Sequence, residues 1–352
     1  MFVIYKKSSL NPLPSVAVVI LNWNGRDFLE KFLPSVVAST YENMEIIIAD
    51  NASTDDSVRF LTQYYPETKV TINATNQGFA KGYNSALKEI TSDYYVLLNS
   101  DIEVTPGWIE PVISLMESDE KIAACQPKIL SFAKKEQFEY AGASGGFIDK
   151  FGYPFTRGRI FETSEIDNGQ YDRRSEIFWA TGAALFVRAK IFRELSGFDE
   201  YFFAHQEEID LCWRMQRMGY KIFVEPSSIV FHVGGGTLAM GSSKKVFLNF
   251  RNNLVMLSKN LSFSEAWWKI PFRIFLDIVA GCQALFNGKI STFLSIASAH
   301  LNYLVWIFSH KRMKRLPKIK MDRIKGVYNG SIVWQYFIKK RQTFSEIIRP
   351  KK

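Results

Sequence analysis

Apolar runs and helical patterns alternate along the first third of the chain. Apolar, β-branched runs predict strands at 15–21, 45–49, 69–72 and 94–98, and apolar residues at helical spacing predict helices at about 27–39, 57–65 and in the segment that ends near residue 90. The run SVAVVIL at 15–21 is typical of a strand that is buried on both faces. The order β-α-β-α-β-α-β predicts a parallel, doubly wound sheet with right-handed crossovers.

Polar side chains follow these strands at the points where the strands end. The first strand is followed by Asn22-Trp23-Asn24-Gly25, the second by Asp50-Asn51 and the fourth by Asn99-Ser100-Asp101. Ligands of open α/β sheets bind at the carboxyl ends of the strands, so Trp23 could stack on a base, Asp50 could accept hydrogen bonds from a base or ribose, and Asp101 could hold a metal ion with its phosphates. Taken singly, these residues also fit structural roles, as a core aromatic, a helix cap and a turn residue.

The loops lack the phosphate-binding patterns of two common nucleotide-binding classes. The first strand is followed by NWNG instead of G-x-G-x-x-G, which disfavours a dinucleotide-dependent dehydrogenase. A Walker phosphate loop is absent from the sequence as well.

Two further segments carry candidate chemistry. The strand-like run FWATGAALFV at 178–187 is interrupted at Thr181-Gly182-Ala183, where a small residue would let a ligand lie close to the backbone. Glu207, Glu208 and Asp210 begin a helix that should end near residue 218. Acids in a first helical turn can simply complement the helix dipole, or one of them can act as a general base.

The segment 141–159 (AGASGGFIDKFGYPFTRGR) is rich in glycine. We expect a mobile loop here, of the kind that can close over a bound ligand. A plain connecting loop is the alternative.

The composition changes beyond about Lys259. Aromatic and aliphatic residues crowd the segment 267–285, a second apolar run follows at 290–308, and the basic cluster 310–315 (HKRMKR) comes directly after it. The second run is long enough to span a membrane, but serine, threonine, histidine and asparagine dilute it, which favours a helical hairpin on an anionic membrane surface. A helical pair packed against the rest of the chain or against a dimer partner is the alternative.

Composition narrows the compartment and the partners. A length of 352 residues suggests about two domains. Three scattered cysteines argue against a disulfide framework or a zinc site and favour a reducing compartment, and residues 1–14 lack the apolar core of an export signal. The net charge of +9 belongs to the tail, because residues 311–352 carry fourteen basic and two acidic side chains. Nucleic acid is a disfavoured partner, since the aromatic residues of the tail cluster in apolar runs.

Several motifs, taken in their order, resemble those of a family 2 glycosyltransferase. They are VVILNWNG, IIIADNASTDDS, NQGFAKGYN, LLNSD, ATGAALFVR, GFDEYFF, EEIDLCWRM and VFHVGGGT, and the resemblance covers about Ser15 to Asn253. The chain is similar to the inverting, nucleotide-sugar-dependent enzymes of the rhamnosyltransferase-like branch, which act in bacterial surface polysaccharide assembly. The resemblance implies an α/β fold of the GT-A type, with a Rossmann-like, mostly parallel sheet flanked by helices, and a C-terminal helical membrane-associating region.

The resemblance also implies roles for individual residues. Donor contacts are expected from Trp23, Asn24, Asp50, Asn51, Asn76, Gly78, Asn99, Asp101 and Gly182. The D-x-D motif corresponds to Asn99-Ser100-Asp101, so Asp101 is the main carboxylate for a divalent cation, Mn²⁺ or Mg²⁺, and His232 completes the metal or diphosphate site. Such an ion would neutralise the charge that develops on the departing nucleoside diphosphate.

The general base is implied by the E-D-x-D motif, which corresponds here to Glu207-Glu208-Ile209-Asp210. Its second residue is the usual base of the family, and here it is Glu208, one methylene longer than aspartate. Glu207 and Asp210 are the other candidates. We expect Asp101 and Glu208 to converge on one cleft that holds a diphosphate and an attacking hydroxyl.

These expectations divide the chain into a lead at 1–14, a catalytic domain at 15–258 with a nucleotide-binding half (15–104) and an acceptor half (105–258), and a helical, aromatic and basic region at 259–352. The expected function is transfer of a sugar from a nucleoside-diphosphate sugar to a glycan or lipid-linked glycan, by a protein peripheral to the cytoplasmic face of the plasma membrane and able to form a homodimer. A sugar-nucleotidyltransferase would need a basic triphosphate loop that NWNG does not supply. A catalytically inactive glycan-binding or scaffold protein stays open, because Asn99 and Glu208 depart from the family pattern.

Overall fold

The structure is a computed structural model that describes residues 12–234, 241–309 and 316–348. Within these residues the strands are β1 (Val16–Asn22), β2 (Met44–Asp50), β3 (Lys69–Ile72), β4 (Tyr94–Asn99), β5 (Ile102–Val104), β6 (Ile122–Ser131), β7 (Gly146–Asp149), β8 (Pro154–Thr156), β9 (Arg159–Ile160), β10 (Thr163–Ser164), β11 (Ser175–Glu176), β12 (Ala184–Arg188), β13 (Lys221–His232) and β14 (Val327–Tyr328). The α-helices are α1 (Arg26–Val37), α2 (Ser57–Tyr64), α3 (Gly78–Leu87), α4 (Glu110–Glu117), α5 (Ala189–Glu194), α6 (Glu207–Arg217), α7 (Ser243–Asn260), α8 (Phe263–Phe286), α9 (Ile290–Ser309) and α10 (Phe344–Ile347). Short 3₁₀ helices lie at Glu200–Phe202 and Met321–Arg323, and a π-helical turn lies at Trp334–Ile338.

The first four strands and the helices between them follow the predicted order. β1 lies between β2 and β4 and is parallel to both, and β3 is parallel to β2. Asn22 at the end of β1 pairs with Asp50 of β2, and Leu21 pairs with Asn99 of β4. Because these strands end together, the polar residues that follow them come to one edge of the sheet.

The rest of the large sheet is mixed. Its strand order is β11-β13-β6-β12-β4-β1-β2-β3, with β5 paired to β13. β12 is antiparallel to β4 and β6, whereas β6 and β13 are parallel. One buried cluster joins this sheet to α3, α6 and α7, and another joins it to α1, α2 and α4. Helices therefore cover both faces of the sheet, as the predicted α/β fold requires.

A second, five-stranded sheet has the order β10-β9-β8-β7-β14. It includes much of the segment 141–159, so the prediction of a mobile loop there was wrong. A Cβ atom on Gly146 would lie 2.2 Å from the ring of Trp179, and one on Gly158 would lie 2.5 Å from the ring of Phe138. These glycines allow aromatic rings to pack against the backbone, and this close packing explains why the segment contains glycine at these positions.

The predicted helical hairpin consists of α8 and α9, and α9 packs against both α7 and α8. The polar side of α8 faces inward: Lys269, Arg273 and Asp277 are buried, and Arg273 Nε donates to Asp277 Oδ1 at 2.8 Å. Its exposed side chains, and those of α9, include Phe263, Trp267, Phe272, Phe275, Ile278, Phe286, Leu294, Leu301, Val305 and Phe308. By length and composition, α9 is also the one helix among the described residues that could cross a membrane.

The tail beyond α9 is not helical throughout. β14 pairs with β7 of the second sheet, and Phe344 of α10 packs against the rings of Phe147 and Phe155. These contacts cross the predicted domain boundary at residue 258. The basic cluster 310–315, residues 1–11 of the predicted lead and the last glycines of the VFHVGGGT motif lie outside the described residues.

Candidate active site

A cavity of about 670 Å³ lies where the ends of β1 and β4 meet α6 and the second sheet. The residues predicted from the sequence that line it are Trp23, Asn24, Asn51, Asn76, Gly78, Asn99, Asp101, Gly182, Glu207, Glu208 and His232. Asp101 and Glu208 therefore share one cavity, as expected. Asp50 and Asp210 are not part of its wall.

Trp23 and Asn24 form the wall beyond β1. Asn24 has a φ angle of 51°, and its Oδ1 accepts the backbone N–H of Thr54 at 2.7 Å. The backbone N–H of Asn24 donates to Ser53 Oγ at 2.8 Å. These bonds tie the turn after β1 to the turn after β2, and they leave Trp23 41% exposed beside the cavity.

Asn51 and Asn76 organise the loop that leads into α3. Asn51 Nδ2 donates to Asn76 Oδ1 at 3.0 Å and to the carbonyl of Gly78 at 3.1 Å. Gly78 has a φ angle of +72°, and a Cβ atom there would lie 2.6 Å from the ring of Phe203. Only glycine fits this position, so the loop holds one wall of the cavity in a fixed shape.

Asp50 lies behind the cavity wall. It is buried, its Oδ2 accepts from Asn22 Nδ2 at 3.0 Å, and its Oδ1 accepts the backbone N–H of Ser53 at 2.8 Å. Both oxygens are thus used inside the protein. This position does not support the predicted contact of Asp50 with the donor, and it makes Asp50 a positioning residue for the turn that carries Ser53.

The ends of β4 and β13 bring Asp101 and His232 together. His232 Nε2 lies 3.1 Å from Asp101 Oδ1, and His232 Nδ1 lies 3.2 Å from Glu139 Oε2. Burial alone would lower the pKa of His232, but the hydrogen bonds and charges of the two carboxylates outweigh it and raise this pKa to about 10. Burial opposes ionisation of Asp101, but the hydrogen bond and charge of His232 together with backbone hydrogen bonds outweigh burial, so the pKa of Asp101 is lowered.

The donor set of Asp101, His232 and Asn99 bears on the predicted metal. No group of three His, Cys, Asp or Glu side chains arranged for a metal occurs in the described parts of the chain. A magnesium-type site that is completed by substrate phosphates needs only one or two protein ligands. The 3.1 Å between His232 Nε2 and Asp101 Oδ1 is close to the separation of two adjacent ligands that each lie about 2.1 Å from one ion. The residues therefore fit a divalent ion shared with a diphosphate, once His232 has lost its proton.

α6 begins in an unusual turn. Phe203, His205 and Gln206 have φ angles of 63°, 70° and 75°, a region that non-glycine residues seldom adopt. The turn places Glu207 and Glu208 at the cavity as the first residues of the helix. Backbone strain of this kind concentrates at functional sites, where the surrounding structure holds it in place.

Glu207 and Glu208 both have the character of proton acceptors. Each has a buried Oε2 without a hydrogen-bond partner among the described atoms. Burial raises the pKa of Glu208 to about 7, and burial together with the negative charge of Glu208 raises the pKa of Glu207 well above its ordinary value. A Cβ atom on Gly182 would lie 2.8 Å from the Phe79 ring, so glycine is required there by this ring, and it would make an ordinary contact of 3.8 Å with Glu208 Cβ.

Asp210 differs from the two glutamates. Its Oδ2 accepts from Arg214 Nε at 2.7 Å and from Lys259 Nζ at 2.9 Å, and its Oδ1 accepts from Asn260 Nδ2 at 2.8 Å. Burial opposes ionisation of Asp210, but the two cations outweigh burial and lower its pKa to about 2. This buried and paired position excludes Asp210 as a direct contact of a substrate in the cavity, and its assignment as a candidate base is corrected to a structural role.

The sequence did not single out several residues of the cavity wall. They are Glu139, Tyr140, Phe155, Arg159, Phe161, His205, Lys244 and Lys245. They come from the second sheet and its flanking turns, the strained turn before α6 and the first turn of α7. No strand-end pattern marks them individually. The sequence pointed only to their neighbourhood, through the glycine-rich segment 141–159, the GFDEYFF and EEIDLCWRM motifs on either side of His205, and the VFHVGGGT motif that precedes α7.

Comparison with known families and proteins places these features in context. The sequence model described as "Glycosyl transferase family 2" matches residues 17–194. An N-acetylglucosaminyl-diphospho-decaprenol L-rhamnosyltransferase of Mycobacterium tuberculosis is 23% identical over 274 residues, which cover 73% of this chain and 87% of that protein. The O-antigen biosynthesis protein RfbC of Myxococcus xanthus is 24% identical over 228 residues, which cover 62% of this chain and 17% of that protein.

A solved structure has a related fold. The crystal structure of GalNAc-T7 with UDP, GalNAc and Mn²⁺ matches with a TM-score of 0.58 at 17% sequence identity, covering 85% of this chain and 58% of that chain. A likeness at this level of identity shows the shared fold. The predicted GT-A fold is thereby confirmed.

Proposed function

The chain belongs to glycosyl transferase family 2, and on this premise we propose that it transfers a sugar, with inversion, from a nucleoside-diphosphate sugar to a hydroxyl group of a glycan or lipid-linked glycan. The observation that carries the proposal is that Asp101 and Glu208 line one cavity. The same cavity offers ligands for a diphosphate and a carboxyl group with a raised pKa for proton transfer. Cell-surface polysaccharide assembly is the proposed setting, since both relatives are named for steps in the synthesis of glycans or their carriers.

Glu208 is the proposed general base. Its carboxylate takes the proton of the acceptor hydroxyl while that oxygen forms a bond to the anomeric carbon of the donor sugar. The bond from the anomeric carbon to the diphosphate breaks on the opposite face, and its electron pair leaves with the nucleoside diphosphate. A pKa near 7 makes Glu208 a stronger base than an exposed glutamate, while leaving it largely ionised in a mildly alkaline medium.

Asp101 and His232 are the proposed protein ligands of a divalent cation, with Asn99 beside them. A bound Mn²⁺ or Mg²⁺ would neutralise charge on the departing diphosphate. GalNAc-T7, whose fold this chain shares, was crystallised with UDP and Mn²⁺. We propose that the nucleotide site is framed by Trp23, Asn24, Asn51 and Asn76, because they line the same cavity as these ligands.

We also propose that the α8–α9 hairpin lies on a membrane with an anionic surface. Its apolar side chains face outward and its charged side chains face the protein, which is the reverse of a helix in water and typical of one in contact with lipid. Eight basic residues and one acidic residue follow between positions 311 and 325 and would favour anionic headgroups. The proposed location is the cytoplasmic face of the plasma membrane.

A donor screen tests the proposed reaction. The full chain is incubated with UDP-, GDP- and dTDP-sugars in the presence of Mn²⁺, and both melting temperature and release of the nucleoside diphosphate are measured. One donor class should raise the melting temperature and be turned over slowly by hydrolysis. Absence of turnover and of stabilisation with every donor would favour the scaffold alternative instead.

A further inference from the structure

Three basic side chains line the cavity apart from the proposed donor residues. Arg159 comes from β9, and Lys244 and Lys245 come from the first turn of α7. We call these three residues the basic wall. Arg159 and Lys245 both lie against Tyr140: the guanidinium carbon of Arg159 is 3.3 Å from the centre of the Tyr140 ring, and Lys245 Nζ is 5.5 Å from it.

The basic wall has no carboxylate partner. Among the described residues, neither lysine ammonium group makes a hydrogen bond or an ion pair, and Arg159 donates only to the backbone carbonyl of Tyr140, at 3.1 Å. The negative charge of Glu139 stabilises the charged forms of Arg159 and Lys245 without direct contact, and that of Glu162 does so for Arg159. Glu139 already contacts His232. The segments outside the described residues contain no aspartate or glutamate side chain.

Among the described residues, other cations with little exposure are satisfied by the chain itself, some by carboxylates and Arg157, Arg217 and Arg251 by carbonyl, hydroxyl or amide oxygens. Lys128 contacts Asp167 and Asp172, Lys259 contacts Asp199 and Asp210, and Arg273 pairs with Asp277. A partly desolvated cation without such a partner is unfavourable unless a ligand supplies the anion. Burial lowers the pKa of both Arg159 and Lys245, which is the direction expected of cations that lack full compensation.

The start of α7 adds to this positive region. Ser242 caps the helix, and Lys244 and Lys245 occupy its first turn, where basic residues oppose the helix dipole. His205, which also lines the cavity, has a buried Nε2 atom without a hydrogen-bond partner in the described structure. A bound anion would satisfy the side chains and the helix dipole together.

We propose that the basic wall binds a phosphate or diphosphate group of the acceptor, so that the acceptor is a sugar linked to a lipid through phosphate. This inference rests on the proposed function and assigns the acceptor side of the same cavity. Asp101 and His232 provide for the donor diphosphate on the large sheet, whereas the basic wall belongs to the second sheet and α7. α7 also packs against α9 of the hairpin, so it links the cavity to the surface proposed to meet lipid.

Two sources of phosphate fit this chemistry, the donor and the acceptor, and a binding experiment separates them. Sodium pyrophosphate is titrated calorimetrically into the full chain in EDTA, and UDP, GDP and dTDP are titrated separately with Mn²⁺. The variants are Lys245→Met and the double variant Arg159→Met/Lys245→Met, and the control is Lys190→Met, at an exposed site of α5 outside the cavity. Melting temperatures confirm folding, and Lys245→Met alone serves if the double variant does not fold.

The wild type and the control should bind pyrophosphate without metal, and the basic-wall variants should bind it at least tenfold more weakly. The preferred nucleoside diphosphate should keep its dissociation constant within twofold in all variants. Unchanged pyrophosphate binding in the folded variants would overturn the proposal, and so would an equal loss of nucleoside diphosphate binding, which would assign the wall to the donor. Since no turnover is needed, this outcome is independent of whether the proposed reaction occurs.

Discussion

His232 Nε2 lies 3.1 Å from Asp101 Oδ1, although 131 positions separate the two residues in the sequence. The pairing of β13 with β5 places His232 opposite Ile102, the residue after Asp101. The contact is therefore fixed by a strand register and not by a flexible loop. It places a carboxylate and an imidazole at the end of the cavity where the diphosphate is proposed to bind.

Asp101→Asn should lower sugar transfer by about a hundredfold or more, because the amide keeps the shape of the side chain but removes the charge that would hold the metal. Steady-state rates and the Mn²⁺ dependence of donor binding measure this effect. Asp119→Asn is the matched control, since Asp119 pairs with Lys221 on the surface, away from the cavity. Near-normal activity of Asp101→Asn would contradict the metal assignment.

Glu208→Gln should lower turnover by about 10²- to 10⁴-fold while leaving donor affinity within a few-fold of the wild type, because a general base contributes to the chemical step and not to donor binding. Glu194→Gln, on the exposed side of α5, is the control. If Glu207→Gln causes the large loss and Glu208→Gln does not, the base is the preceding residue.

The pH dependence of kcat/KM should follow Glu208. Burial raises its pKa from 4.5 to about 7, so the free enzyme should lose activity as the pH falls below about 7 and the base becomes protonated. Rates measured with saturating Mn²⁺ between pH 5 and 8 test this limb. A rate that stays constant down to pH 5 would show that no group with this pKa is required.

Folding stability should fall as the pH rises and Glu207 and Glu208 lose their protons, whereas activity should rise. A folded-state pKa above the unfolded value stabilises the protein at low pH, and that contribution is lost as the pH rises through the folded pKa. Replacement of Glu207 and Glu208 by glutamine should therefore raise the melting temperature relative to the wild type more at pH 8 than at pH 5. Equal differences at both values would show that the two carboxyl groups titrate normally.

Asp210 and Glu208 show what local sequence could and could not reveal about the site. The motif located both acids on one helix, and the helix begins at Glu207 as predicted. Only the tertiary structure shows that Arg214, Lys259 and Asn260 enclose Asp210, because Lys259 and Asn260 come from α7. Asp50 could not be assigned from local sequence either. The hydrogen bonds that it accepts from Asn22 and Ser53 depend on how the ends of β1 and β2 meet.

The nucleotide-binding half was predictable because its signals are local. Its strands β1, β2 and β4 are short apolar runs, and each ends in polar residues that the parallel register brings to one edge. The second sheet was not predictable in this way. Its glycines, such as Gly146, are explained by a contact with the distant Trp179, and no local pattern marks Arg159 or Lys245 as neighbours.

Asp210→Asn should destabilise the fold by about 3–5 kcal/mol, because it removes the carboxylate that pairs with the poorly exposed Arg214 and leaves Lys259 with Asp199 alone. Urea denaturation measures the free energy of unfolding. Glu208→Gln is the natural comparison, since it removes a charge from the same helix without breaking an ion pair. A change below about 1 kcal/mol for Asp210→Asn would contradict the structural role assigned to this residue.

The outward face of the hairpin should decide membrane binding. The test variant carries serine in place of three exposed side chains, Trp267 (66% exposed), Phe275 (57%) and Phe308 (87%). Its cosedimentation with phosphatidylglycerol vesicles should fall at least tenfold, because the apolar contact with lipid is removed. Serine at Tyr64 and Ile72, two exposed apolar residues of the nucleotide-binding half, is the control. Full retention of binding by the hairpin variant would show that lipid contacts another surface.

The most direct test of the central claim is a crystal structure of Glu208→Gln with Mn²⁺ and the nucleotide sugar that most raises the melting temperature. The account predicts an anomalous manganese peak between Asp101, His232 and the diphosphate, with the anomeric carbon of the sugar facing residue 208. Manganese bound elsewhere, or a sugar turned away from residue 208, would contradict the claim that these residues form one transfer site.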